Sequence, residues 1–212
     1  MIYSENILIC IAIPLFIALF FTRTSTKRFL FAFILGMTVC LFSAYISGFV
    51  NYITELGRDE MAIYYSPVIE EIMKFLPILF YEAVFIPEQE KLYTASIGIG
   101  LGFATFENCC YILSAVDISL PYMLIRGLSV GVMHLICSLA LILGLGLSKR
   151  FEVMTLPGLV GAISMPMIFH ALYNLLVSED GLSSYLGYFL PILTAFILFI
   201  PFRVIREKLN NE

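Results

Sequence analysis

The sequence predicts an all-α protein, a polytopic transmembrane bundle of about seven helices. Three observations lead to that class. Of 212 residues, 60% are hydrophobic and 13% charged, where soluble domains are about 45 to 50% apolar and about 25% charged. Apolar residues come in runs long enough to cross a hydrocarbon core of about 30 Å, which takes about 20 helical residues. The connections between runs are short, so 1–212 reads as a single integral membrane domain with no soluble module.

The runs are 6–22, 29–50, 67–86, 92–114, 121–147, 156–177 and 185–202. The first is preceded by MIYSEN, which has no Lys or Arg, and basic residues follow it, so it reads as a retained helix and not a signal peptide. Seven spans alternate the loops between two sides. Arg23, Lys27, Arg28, Lys91, Lys149, Arg150, Arg203, Arg206 and Lys208 fall on one side and only Arg58 on the other. The positive-inside rule makes the first side cytoplasmic, placing the N-terminus outside and the C-terminus in the cytoplasm of a cell membrane. Tyr52, Tyr64, Tyr65, Tyr122, Tyr185 and Tyr188 then form an outer interfacial belt.

Composition also excludes some roles. A net charge of −4 with no long basic run argues against nucleic-acid binding. Cys10, Cys40, Cys109, Cys110 and Cys137 are odd in number, lie in apolar runs and form no CxxC pair, which leaves neither a disulfide framework nor a thiolate metal site.

Ionisable residues inside the spans carry the functional information. They are Glu70, Glu71, Lys74, Glu82, Glu107, Arg126, His134 and His170. A charge at the bilayer centre costs at least about 2.5 to 3.5 kcal/mol, so such side chains face a bundle interior or a wet cavity. In SPVIEEIMKFLP, Lys74 lies at i+4 from Glu70 and i+3 from Glu71, so it reaches either and leaves the other free. The plain alternative is an acidic helix start with Ser66 as N-cap and Pro67 at N1, which does not account for Lys74.

The fourth span holds GFATFENCCYIL, with Glu107, Asn108 and Tyr111, an arrangement that also suits simple helix-bridging hydrogen bonds. Upstream, Gly98 and Gly102 in GIGIGLG predict close helix packing, since a dinucleotide loop would need a preceding strand and a different spacing. Arg126 and His134 lie on the fifth span, and HALYN places His170 and Asn174 on one face of the sixth. A lone membrane histidine usually bridges helices. Two of them with two or more glutamates on other spans suit a divalent metal, or a water held for a glutamate base. At about 1.5 Å per residue, Glu71 lies about 6 Å from the outer ends, Glu107 and His170 about 10 Å and His134 about 20 Å. Glu82 lies nearer the cytoplasmic end.

Taken in order, EExxK (Glu70, Glu71, Lys74), FExxxY (Phe106, Glu107, Tyr111), His134 and HxxxN (His170, Asn174) resemble the motifs of the PrsW-type intramembrane proteases. More distantly they resemble the CAAX prenyl endopeptidases and bacteriocin-processing membrane proteases. The resemblance covers roughly residues 60–177, the expected catalytic core. It implies a hydrolase that cuts a single-pass membrane protein near the outer face, such as an anti-sigma factor in a bacterial stress-response cascade.

The same resemblance implies that Glu70 or Glu71 activates the attacking water, with Glu71 preferred. His134 and His170 would bind metal or stabilise the oxyanion, with Glu107 the third candidate ligand, and Asn174 would donate to the oxyanion. Phe106, Asn108, Tyr111 and Arg126 are supporting residues. The cofactor is a divalent metal, zinc among the candidates, or none if the enzyme is glutamate-dependent. HExxH is absent, and the FxxxH of CAAX-type relatives is replaced by Phe103-to-Glu107 spacing, so both chemistries stay open.

Two other roles use the same residue types. A proton-coupled transporter predicts polar residues reaching both faces, often with inverted repeats. A non-catalytic scaffold predicts Glu71 locked to Lys74 in a dry interior.

Overall fold

The computed structural model describes residues 10, 11, 13–15, 17, 26–114, 118–150 and 155–209, which are helical apart from short connections and include no strand. Most of the expected first span, 6–22, lies outside the described residues. The six remaining spans correspond to α1 (Thr26–Thr54), α2 (Ser66–Phe85), α3 (Gln89–Ser114), α4 (Leu120–Arg150), α5 (Thr155–Ser178) and α6 (Leu182–Leu209). Four helical stretches are long and apolar enough to cross a membrane: Thr26–Thr54, Gln89–Ser114, Leu120–Gly146 and Leu156–Ser178. With 20 residues α2 has the length but carries Glu70, Glu71, Lys74 and Glu82, and the apolar part of α6, Leu182–Leu198, is shorter.

The centre of the bundle is α3, buried on almost every side from Thr94 to Thr105. Its GIGIGLG sequence presents two smooth faces. A Cβ on Gly102 would run into the Phe33 carbonyl, and one on Gly98 would meet the Ala32 Cβ at 2.7 Å, so this face lies directly on the α1 backbone. The close packing expected from the GxxxG spacing is therefore present. On the other face, a Cβ on Gly100 would meet the His134 carbonyl at 2.9 Å, so α4 approaches closely enough to bring His134 into the centre. Aromatic and aliphatic side chains fill the angles between helices: Phe29, Phe33, Ile97, Leu101, Leu135 and Ile136 form one cluster, and Phe75, Ile78, Leu92, Ile99, Leu141 and Ile142 another.

The start of α2 departs from the expected N-cap. Ser66 has helical dihedrals (φ −59°, ψ −44°) and makes no side-chain cap. The chain is already helical from Arg58–Glu60 and passes into α2 through a π turn, Met61–Tyr65. Pro67 follows directly after this irregular turn. With no N–H to donate, it cannot continue the backbone ladder, and the Ser66 N–H reaches back five residues to the Met61 carbonyl. The chain absorbs one extra residue there, as π-bulges do, frequently at functional sites.

Gly102→Ala is expected to lower the unfolding midpoint in detergent by an amount equivalent to about 1–3 kcal/mol, because the added methyl meets backbone. Gly48→Ala, where nothing lies within 4 Å of the added atom, is expected to be neutral or slightly stabilising.

Candidate active site

Four helices bring the expected polar residues together at one end of the bundle. The first turns of α2 supply Glu70, Glu71 and Lys74, the last turns of α3 supply Glu107, α4 supplies Arg126 and His134, and α5 supplies His170. Helical spacing aims them inward: Glu71 and Lys74, three apart, share a buried face with Phe75 and Ile78.

Lys74 lies at the middle of this group and is 1% exposed. Its Nζ donates to Glu71 Oε1 at 2.6 Å and to His134 Nδ1 at 2.7 Å. An ammonium has donors only, so Nδ1 of His134 accepts and its proton sits on Nε2. That Nε2–H donates to Glu107 Oε2 at 2.6 Å, and the other Glu107 oxygen accepts from Arg126 Nη2 at 3.0 Å. Glu71 Oε1 accepts a second bond from His170 Nδ1 at 2.8 Å, which leaves a lone pair on His170 Nε2. Phe103 closes one side, its ring 4.8 Å from that of His134 and 4.9 Å from Lys74 Nζ.

Glu70 differs from the other acids. Its Oε2 is buried with no hydrogen-bond partner and lies 3.7 Å from His170 Nε2. Lys74 thus neutralises Glu71, and the carboxylate left over is Glu70, the reverse of the preference drawn from the sequence. Glu71–Lys74 locking was the mark of a scaffold, yet here it frees the neighbouring acid. Glu107 keeps 28% of its side chain exposed, so the cluster is not sealed.

The supporting residues separate by position. Phe106 packs with Val39, Cys40, Phe103 and Met73, between α1 and α2. Tyr111 lies under the Arg126 guanidinium, 3.7 Å from ring centroid to Cζ, and its hydroxyl joins a chain with those of Tyr122 (2.9 Å) and Tyr188 (3.1 Å from Tyr122). Tyr122 and Tyr188 therefore belong partly to the interior, whereas Tyr52, Tyr64, Tyr65 and Tyr185 of the expected belt are exposed. Asn108 is fully buried, and neither side-chain polar atom has a partner. Asn174 donates its Nδ2 to the Ala62 carbonyl at 2.9 Å. Phe103 entered the sequence reading only through its spacing to Glu107, and the π turn carried no motif; Pro67 after a polar residue was the one local sign of the turn.

The chain belongs to the PrsW family of intramembrane metalloproteases, whose family model matches residues 24–203. It is thus a multi-pass membrane protein and a protease. No curated protein and no solved structure gave a match.

The family description implies a divalent metal, and the donor set bears on it directly. Glu70, His134 and His170 each offer one atom within 4.8 Å of the others. Two ligands of one tetrahedral ion at about 2.0 to 2.1 Å stand about 3.4 Å apart, close to the 3.7 Å between Glu70 Oε2 and His170 Nε2. The bond from His170 Nδ1 to Glu71 is the usual carboxylate support behind a ligating histidine. Glu70 and His170 fit the group as they stand. His134 has both ring nitrogens engaged and would join by giving up one bond, and Glu107, expected as a ligand, holds His134 and Arg126 instead.

Lys74→Met is expected to leave Glu71 buried without its counter-ion, at a cost of about 3–5 kcal/mol. Thermal unfolding in detergent should show Glu71→Gln/Lys74→Met losing clearly less than Lys74→Met alone.

Proposed function

We propose that this protease cuts a single-pass membrane protein near the outer face, with Glu70 as the base that activates the attacking water. The observation carrying the assignment is the unpartnered Glu70 Oε2 facing the bare Nε2 of His170. Between these atoms a water gives its proton to Glu70, which later returns it to the leaving amine, the usual double duty of a general base. Glu71 orients His170 through Nδ1, and Lys74 neutralises Glu71 so that Glu70 does not share the site with a second uncompensated carboxylate. His134 and Arg126 hold Glu107 at the exposed margin. In a metal-bound form the same gap would instead take a divalent ion held by Glu70, His170 and His134, and the water would then be activated by the ion in place of the free Glu70 oxygen. When bound, the ion would polarise the scissile carbonyl and acidify the water.

The outward placement rests on the loop charges, and the catalytic core is assigned to 60–177 within a single membrane domain. A bacterial anti-sigma factor anchored by one helix is the proposed substrate class, in the plasma membrane.

Co-expression with a tagged single-pass substrate tests the assignment. Glu70→Gln and His170→Ala are expected to lower cleavage by about 10²-fold or more, and wild-type cleavage by Glu70→Gln would overturn it. Metal analysis of purified protein is expected to give a divalent ion in the wild type and a clear loss in His170→Ala. Equal, negligible content in both would favour the glutamate-dependent mechanism.

A further inference from the structure

The π turn leaves one backbone carbonyl without a donor from its own helix. In an α-helix the Ala62 carbonyl would accept from the Ser66 N–H, but that group is turned to Met61. In a continued π ladder the donor would come from residue 67, which is proline. Both routes are closed, although Ala62 itself lies at an exposed position. The Asn174 side-chain amide fills the gap at 2.9 Å from across the bundle.

Asn174 lies one helical turn beyond His170 on α5, and Ala62 lies two turns before Glu70 and Glu71. Two bonds therefore tie α5 to the segment carrying the acids: His170 to Glu71 at one level and Asn174 to Ala62 at the next. The π turn also sets helical phase. One residue more or less rotates the following helix by about 100°, the difference between Glu70 facing His170 and Glu70 facing away.

We infer that Asn174 is a positioning residue, acting through the Ala62 carbonyl to hold the π turn that aims Glu70 at His170, and not a donor to the reacting carbonyl. The inference rests on the proposed protease reading for its activity readout. It makes Pro67 and Asn174 a matched pair, because the proline creates the orphan that the asparagine satisfies.

A double-variant cycle tests the pairing. Pro67→Ala supplies an N–H in line with the Ala62 carbonyl and is expected to leave turnover within about 2-fold of wild type. Asn174→Ala is expected to lower kcat by about 10-fold or more with KM little changed, as small misplacements of reacting groups do. Pro67→Ala/Asn174→Ala is expected to recover most of that loss. Amide hydrogen exchange over 61–66 gives a readout independent of cleavage: faster in Asn174→Ala, restored in the double variant. Full activity in Asn174→Ala overturns the inference, as does a double variant that regains protection without turnover. If Glu70→Gln cleaves like wild type, the protease reading through Glu70 fails, while the exchange data still decide the pairing at the π turn.

Discussion

Everything at the polar end of this bundle depends on one buried ammonium. Lys74 is held among four helices with almost no exposure, where a charge is stable only with anions and acceptors around it. Its three protons need partners, and two are found in Glu71 and His134. Those bonds determine the rest in sequence. Lys74 sets the tautomer of His134, His134 then donates to Glu107, Glu71 is neutralised and turned toward His170, and Glu70 remains. A hydrogen-bond chain in which each donor has one direction of donation is how a low-dielectric interior specifies a single arrangement.

The apolar framework makes that chain geometrically feasible. Side chains as short as glutamate and histidine meet across helices only when the backbones come close, and the smooth faces of α3 provide this toward α1 and α4 at once. The site lies at the end of the bundle where α3 meets α4 and α5 meets the π turn. The tyrosine hydroxyl chain from Tyr111 to Tyr188 extends the polar lining there. The bonded polar cluster of the described residues is thus concentrated at one end of the bundle.

A regular α-helix through Pro67 would shift the phase of both acids relative to His170. The irregular turn, with its freed carbonyl at Ala62, accommodates proline while keeping Glu70 and Glu71 on the α5 side. The π turn at the start of α2 and the placement of the acids are in this sense a single feature, tied to α5 by Asn174.

The sequence by itself determined the helical class, the four helical stretches among the described residues that are long and apolar enough to cross a membrane, and the membership of the polar cluster. Apolar run length and intramembrane charge are local properties with large costs, and they survive any packing. The GxxxG contact was legible for the same reason, since small residues at one spacing have few other uses in lipid. Tertiary structure alone decided who pairs with whom. Lys74 is within reach of Glu70 and Glu71 alike along the helix, and only the approach of His134 and His170 from α4 and α5 commits it to Glu71. Likewise HxxxN reads as two equivalent polar side chains one turn apart. That one faces an acid and the other a stranded carbonyl follows from a π turn more than 100 residues away in sequence, which local spacing does not encode.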